Sequence, residues 1–284
     1  MRHKYSTLPR VSIVGKPPVG EISGMKLSPA ELAEFDRNGY LDFPDVLAPA
    51  EVHAARAALS ALIEQHTTSP GQLGRLLVQC EPGVQAESVD ESKVRKLMRF
   101  CELNPVLDDL AHRQPRIRAI VESLVGANPI LFQDMALVKP PFIGTEKPWH
   151  QDNAYFSVTP LEAVLGVWIA LDDAMVENGC MHVLVGEHKV GPRKHYHGTD
   201  CEIMPDRLNP ERAVPVELPA GGAMFFAGML PHQTPPNSSP HRRRALQFHY
   251  RSAKSRIVTK AEYNQVYAEA DGTPASCAAA PPKQ

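Results

Sequence analysis

Cysteine is scarce in this chain, and its arrangement excludes more than its number does. Five cysteines (Cys80, Cys101, Cys180, Cys201 and Cys277) are scattered over 284 residues with no C-x-x-C pair. An odd, dispersed set argues against a disulfide framework and a structural zinc site, and reads as reduced thiols in a cytoplasmic setting. An excess of one charge is also missing, since 30 basic against 32 acidic side chains leave a formal net charge of -2. No global field draws the protein to nucleic acid or to an anionic membrane. Long apolar runs are absent too. None approaches the roughly 18 residues that a membrane span needs, and the opening "MRHKYSTLPRVSIVGKPPVG" lacks the apolar centre of a signal peptide. The final "PPKQ" is no peroxisomal address of the S-K-L type. What is present, 43% hydrophobic and 22% charged residues, suits a globular chain with a sizeable core. The remaining partner class is a small molecule, and composition does not set the number of subunits.

Order along the chain is uneven. The first two dozen residues show no sustained period and the last dozen are small and Pro-rich, so residues 1–26 and 269–284 are expected as flexible tails around a single domain at 27–268. Helical signals begin just after Met25, which makes that methionine a plausible natural start. Ser28 as N-cap, Pro29 at the first helical position, Glu31 closing a capping box and Gly39 as the stop predict a short helix. After an extended "YLDFPDVL", Val52, Ala55, Leu59, Leu62 and Ile63 fall at helical spacing between about Pro49 and His66. A further helical stretch, opened by Asn104-Pro105, ends at Gly126. From Pro129 onward the pattern changes to short β-rich segments separated by Pro, Gly and Asn. Helices followed by a long run of strands predict an α+β domain, mainly β, whose C-terminal half is a sandwich or barrel.

Within that run, "WHQDNAYF" places His150 and Asp152 two positions apart. If the stretch is extended, the two project from one face while Gln151 looks away. A neutral imidazole and a carboxylate share a liking for a divalent metal, and two histidines with one carboxylate form a facial triad that leaves positions open on iron. The best candidate for the second histidine is His232, placed where the apolar strand "AMFFAGM" gives way to a Pro-rich loop. Arg243 follows eleven residues later, in a run of three arginines from Arg242 to Arg244. Along an extended strand Arg243 shares a face with Ala245 and Gln247, opposite Arg244, so only one parity looks inward.

These spacings, with "GVWIALDD", "ENGCMHVLVGEHK" and "PHQTPPNSSPHRRRA" in order, resemble the phytanoyl-CoA dioxygenase family of Fe(II)/2-oxoglutarate oxygenases over about residues 27 to 255. The resemblance implies a double-stranded β-helix, a cupin-like jelly-roll, with N-terminal helices packed on it. It implies that His150, Asp152 and His232 hold Fe(II), and that Arg243 pairs with the distal carboxylate of 2-oxoglutarate through its fixed guanidinium fork. Lys93, Met135, Gln151 and Trp168 fall where the family has residues around 2-oxoglutarate. The implied chemistry consumes O2 and 2-oxoglutarate, releases succinate and carbon dioxide, and oxidises an unactivated C–H bond, most simply by hydroxylation; desaturation, epimerisation and ring formation use the same cofactor. Halogenating relatives replace the carboxylate ligand with a small residue, and this sequence keeps Asp152.

Most of the twelve histidines are expected to be ordinary polar groups. His188, His195 and His197 lie in "GEHKVGPRKHYHGTD", which reads either as a solvated connection or as a loop that contacts substrate. Val185 stands where the family more often has proline, which bears on the local turn. Two other classes compete with the oxygenase: a jelly-roll that only binds a ligand, and a zinc hydrolase built on the same three ligands. The second leaves Arg243 without a partner.

Overall fold

The computed structural model describes residues 26–69, 71–84, 90–198 and 200–268, and beyond them residues 271, 273, 275 and 277. Most of the expected N-terminal tail, with the start placed at Met25, lies outside the described residues. The first described element is helix α1 (Pro29–Asn38), whose ends follow the sequence signals. The Glu31 amide donates to Ser28 Oγ at 3.3 Å, the Ser28 amide donates to Glu31 Oε2 at 2.8 Å, and Gly39 terminates the helix at φ 83°.

Three more helices, α2 (Pro49–Thr68), α3 (Pro105–His112) and α4 (Pro115–Val125), each begin with proline, where the missing N–H costs nothing. Their apolar stripes bury Val52, Leu59 and Ile63, then Leu107 and Leu110, then Ile117 and Val121. The surface they cover is a seven-stranded antiparallel sheet. Its order is β1 (Tyr40–Phe43), β12 (Ala223–Ala227), β7 (Val164–Ala170), β14 (Arg243–Arg251), β4 (Ile130–Lys139), β3 (Val94–Met98) and β2 (Leu77–Cys80).

A four-stranded sheet packs on the other face, in the order β11 (Val214–Val216), β8 (Met181–Val183), β13 (His232–Thr234) and β5 (Lys147–His150). Side-chain alternation along β7 shows how one strand serves both layers. Leu165, Val167 and Ile169 join the helix-side core, whereas Trp168 and Ala170 pack with Met181, Val183 and Val216 between the sheets. Every residue of β7 is buried for that reason. The result is the expected jelly-roll with helices laid over one sheet.

Two small pairs complete the β structure: β9 (His195–His197) with β10 (Cys201–Ile203), and β6 (Val158–Thr159) with β15 (Arg256–Ile257). A short helix α5 (Lys260–Val266) follows. Here two expectations are corrected. Cys201 and Cys277 form a disulfide, so only Cys80, Cys101 and Cys180 are free thiols among the described residues. The C-terminal segment is not a loose tail at these positions, because Ala275 and Cys277 are buried, the Ala275 amide donates to Tyr267 O, and the His195 amide donates to Ala275 O. A sequence separation of 76 residues carries no spacing signature, and the pair exists only because the tertiary fold returns the chain end to β10. No helix among the described residues is long and apolar enough to cross a membrane.

Candidate metal centre

His150 and His232 are cross-strand partners on β5 and β13, which sets their rings side by side with centroids 4.2 Å apart. Each ring is oriented by its own backbone. His150 Nδ1 donates to Pro148 O at 2.8 Å and His232 Nδ1 donates to Leu230 O at 2.9 Å, leaving both Nε2 lone pairs free. Phe226 packs against His232 with ring centroids 4.9 Å apart. That position depends on Gly166, where an added Cβ would lie 2.3 Å from the Phe226 ring.

The stretch after His150 is not one extended strand, as the simplest reading of i and i+2 assumed. Gln151 stays extended, and Asp152 then opens a 3-10 turn over Asp152–Tyr155. The Asn153 amide donates to Gly228 O at 3.0 Å, and Asn153 Nδ2 donates to Leu161 O at 2.8 Å. A Cβ at Gly228 would lie 2.0 Å from Asn153 Oδ1, so glycine is what lets the turn dock there. The turn presents Asp152 Oδ1 at 3.3 Å from His150 Nε2 and 3.7 Å from His232 Nε2. His232 itself begins β13 and does not end the preceding strand; the in-register pairing with His150 is what brings it to Asp152.

One ligand atom from each of the three residues lies within 4.8 Å of the others, and all three residues are buried. Ligands at roughly 2.1 Å from an ion and at right angles are roughly 3 Å apart, so the set fits a first-row divalent metal. Charge agrees. Burial, with His232 and Lys147 nearby, lowers His150 to about 4, and burial lowers His232 as well, so both imidazoles are neutral near pH 7. Burial opposes ionisation of Asp152, yet His249, His232 and the His150 hydrogen bond outweigh it and hold the carboxyl well below its usual range. Two neutral nitrogens and one carboxylate are the protonation states metal ligation requires.

The second oxygen of Asp152 is also engaged. His249 Nε2 lies 2.7 Å from Oδ2 and Gln247 Nε2 donates to it at 3.2 Å. Both side chains come from β14, on the same face as Arg243. Arg243 is 1% exposed, sits 5.4 Å from the Trp168 ring and donates from Nη1 to Leu137 O at 3.2 Å. Its Nε has no partner, and no carboxylate among the described residues pairs with it. Burial lowers it to about 10, so it remains a cation near neutral pH, open to an anion. Arg244, of opposite parity, is bonded to Asp172 by two contacts of 2.9 Å and to Glu91, which settles the register within the arginine run. Beside Arg243 in the β4 register is Lys139, buried and lowered to about 6 by burial, Arg243 and Arg95.

The softer candidates divide. Met135 and Trp168 flank Gln247 in the sheet register and so share its face. Lys93 forms an ion pair with Asp90 at 3.5 Å. Gln151 points away from the three ligands, a correction to its expected cofactor contact. Its Nε2 donates to Gly191 O and Met229 O, and its Oε1 accepts from the Arg193 amide. Those bonds fasten the 188–197 loop to the ligand strand. His195 does the same from the other side, accepting from the Gln151 amide at 3.1 Å through Nε2. His188 Nε2 donates to Asp36 O on α1 at 3.1 Å. Sequence reasoning missed His249, Lys139 and the structural use of His195; for His249 the signal was the period-two continuation of Arg243 and Gln247 along β14.

The phytanoyl-CoA dioxygenase (PhyH) family model matches residues 35–245. Over 170 residues the chain is 32% identical to phytanoyl-CoA dioxygenase domain-containing protein 1 of Rattus norvegicus, covering 57% of this chain and 58% of that protein. The match therefore spans little more than half of that relative. Among solved structures, the non-heme alpha ketoglutarate dependent carbocyclase SnoK from nogalamycin biosynthesis superposes with a TM-score of 0.62 at 25% identity, covering 81% of this chain and 86% of its own. EctD from S. alaskensis with bound Fe shares the fold, with a TM-score of 0.68 at 21% identity and coverage of 84% and 82%.

Proposed function

This chain belongs to the phytanoyl-CoA dioxygenase family, and from that premise we propose that it is an Fe(II)- and 2-oxoglutarate-dependent oxygenase that oxidises a C–H bond of a small organic molecule. His150, Asp152 and His232 hold the iron, and Arg243 receives the distal carboxylate of 2-oxoglutarate. Bound iron with 2-oxoglutarate and O2 supplies the oxidising power for an unactivated C–H bond, with succinate and carbon dioxide as co-products. The single observation that carries this reading is the gathering of one ligand atom each from His150, Asp152 and His232 within 4.8 Å, between sheets whose larger member also holds a buried guanidinium with no carboxylate partner among the described residues.

The chain's own residues do the remaining work. Pro148 O and Leu230 O keep the ring protons on Nδ1, so both Nε2 atoms stay available as ligands. Arg243, over the Trp168 ring and 1% exposed, meets an anion with less solvent screening than an exposed arginine does. Tyr155 lies 6.0 Å from the His150 ring, and Phe156 packs between Phe132 and His249, which supports an apolar portion of substrate beside the ligands. Hydroxylation is the simplest outcome. Ring formation is a second one, favoured by the likeness to a carbocyclase.

A zinc hydrolase leaves Arg243 with no role, and a jelly-roll that only binds a ligand is told apart from an oxygenase by the absence of succinate formation. The expected start of the domain at 27 is retained as part of this reading, and its expected end at 268 is moved out to include Cys277, which a disulfide ties to β10. A cytoplasmic location had rested on free thiols, and the Cys201–Cys277 pair removes that support. The test is to supply purified protein with Fe(II), 2-oxoglutarate and O2 and to measure succinate. His150→Ala is expected to abolish both iron retention and succinate formation; undiminished iron binding by that variant, or oxygen-independent turnover, overturns the proposal.

A further inference from the structure

A carboxylate ligand has a choice that an imidazole does not: it binds an ion through one oxygen or through both. At Asp152 the two oxygens are treated differently. Oδ1 faces His150 Nε2 at 3.3 Å and His232 Nε2 at 3.7 Å. Oδ2 faces away from them, toward His249 Nε2 at 2.7 Å and Gln247 Nε2 at 3.2 Å. An ionised carboxylate only accepts, so His249 carries its proton on Nε2, and two N–H donors converge on one oxygen. Resting on the metal reading above, we propose that His249 and Gln247 are positioning residues that hold Asp152 to single-oxygen ligation.

The consequence lies in coordination number. Three protein atoms leave three positions on a six-coordinate ion, two for the keto and carboxylate oxygens of a 2-oxo acid and one for O2. A carboxylate bound through both oxygens removes one of those three. With Oδ2 occupied by two donors, rotation toward chelation breaks both bonds.

Besides Asp152, His249 Nε2 meets Gln247 Nε2 at 3.1 Å. It is fully buried, its Nδ1 has no partner, and the rings of Phe156 and Phe132 lie at 4.9 and 6.1 Å. The register shift between His249 and Tyr250 against β4 falls at this residue, and such irregularities re-aim side chains.

The experiment uses Co(II) on the full chain, with affinity, stoichiometry and the visible absorption band as readouts. Wild type is expected to bind one Co(II) and His150→Ala none. His249→Phe, similar in shape but without the donor, is expected to weaken Co(II) by about 10- to 100-fold and to change the intensity of the band as the carboxylate shifts. His249→Gln places an amide N–H near the lost Nε2 and is expected to restore most of the affinity and the wild-type band. Gln247→Leu gives a loss under about tenfold. A folded His249→Phe protein with wild-type affinity and spectrum overturns the positioning role while leaving the metal reading intact, and so does a His249→Gln protein that fares no better than His249→Phe. Should His249→Phe not fold, Gln247→Leu with an unchanged affinity and band overturns it. Failure of wild type to bind Co(II) defeats the metal reading, and the positioning role with it.

Discussion

The two faces of the seven-stranded sheet share their strands and their burial, yet they are chemically unlike. Along β14 the face toward the helices carries Leu246, Phe248 and Tyr250, whereas the face toward the smaller sheet carries Arg243, Ala245, Gln247 and His249. The helix-covered face is closed by apolar contacts. The sheet-covered face holds a cation with no carboxylate partner among the described residues and a histidine with one bare nitrogen, and across from it the Asp152 carboxylate turns one oxygen to two imidazole nitrogens. Burial therefore does not separate core from chemistry here; the satisfaction of polar groups does. One face is optimised for stability, and the other keeps unsatisfied groups at a cost to stability.

Removing the large apolar group tests the first half of that contrast with the largest effect. Phe248 is fully buried and meets Phe100 edge-on at 6.4 Å. Phe248→Ala is expected to destabilise the fold by about 3–5 kcal/mol, measured by denaturant unfolding. Co(II) affinity of the still-folded protein should not change. A matched fall in metal affinity would show that the two faces are not independent.

The cation on the opposite face predicts the reverse sign. Arg243→Met removes a buried charge whose only bonded acceptor among the described residues is Leu137 O, so the protein without ligands should become more stable by about 1 kcal/mol or more. Binding of 2-oxoglutarate, followed by calorimetry, should weaken by about 100-fold, since a buried ion pair truncated on one side loses about 2–5 kcal/mol. Loss of stability together with unchanged 2-oxoglutarate binding would place Arg243 among the structural residues.

Lys139 extends the same argument to pH. Burial and the Arg243 and Arg95 charges lower its amine to about 6 in the folded protein, against an unfolded value of 10.5. Between those limits the unfolded chain binds a proton that the folded one does not. Stability contributed by this group therefore rises with pH from about 6 to about 10.5, and falls as the pH drops toward the lower limit. The slope is at most about 1.4 kcal/mol per pH unit. Lys139→Met should flatten that portion of the stability profile, and an unchanged slope would assign it to other groups.

Local signals made one part of this molecule readable before its structure. Helix α1 is encoded in contiguous residues, from Ser28 through Gly39, and the triad's residue types were legible because two of its ligands lie two positions apart. Parity correctly placed Gln247 beside Arg243. What was not legible depends on contacts between distant segments: the pairing of Cys201 with Cys277, the approach of His249 to Asp152, and the turning of Gln151 toward Gly191 and Met229. A period-two pattern names the face on which a side chain lies and says nothing about what waits opposite. Gln151 shows this well, because its direction away from the ligands was predictable while its use as a fastener for the 188–197 loop was not.

The arginine run supplies the finest form of the comparison, since three identical side chains meet three environments. Arg243 is sealed inside, Arg244 is held by Asp172 and Glu91, and Arg242 reaches Glu91 at 2.6 Å with its side chain 33% exposed. Water screens that outer pair, and Glu91 keeps its contact with Arg244 when Arg242 is gone. Arg242→Ala is thus expected to change stability by less than about 0.5 kcal/mol and to leave 2-oxoglutarate affinity unaltered, as read by thermal unfolding and calorimetry on one preparation. A loss of co-substrate binding in this variant as large as that in Arg243→Met would mean that position within the run, and not side-chain parity, decides which arginine serves the site.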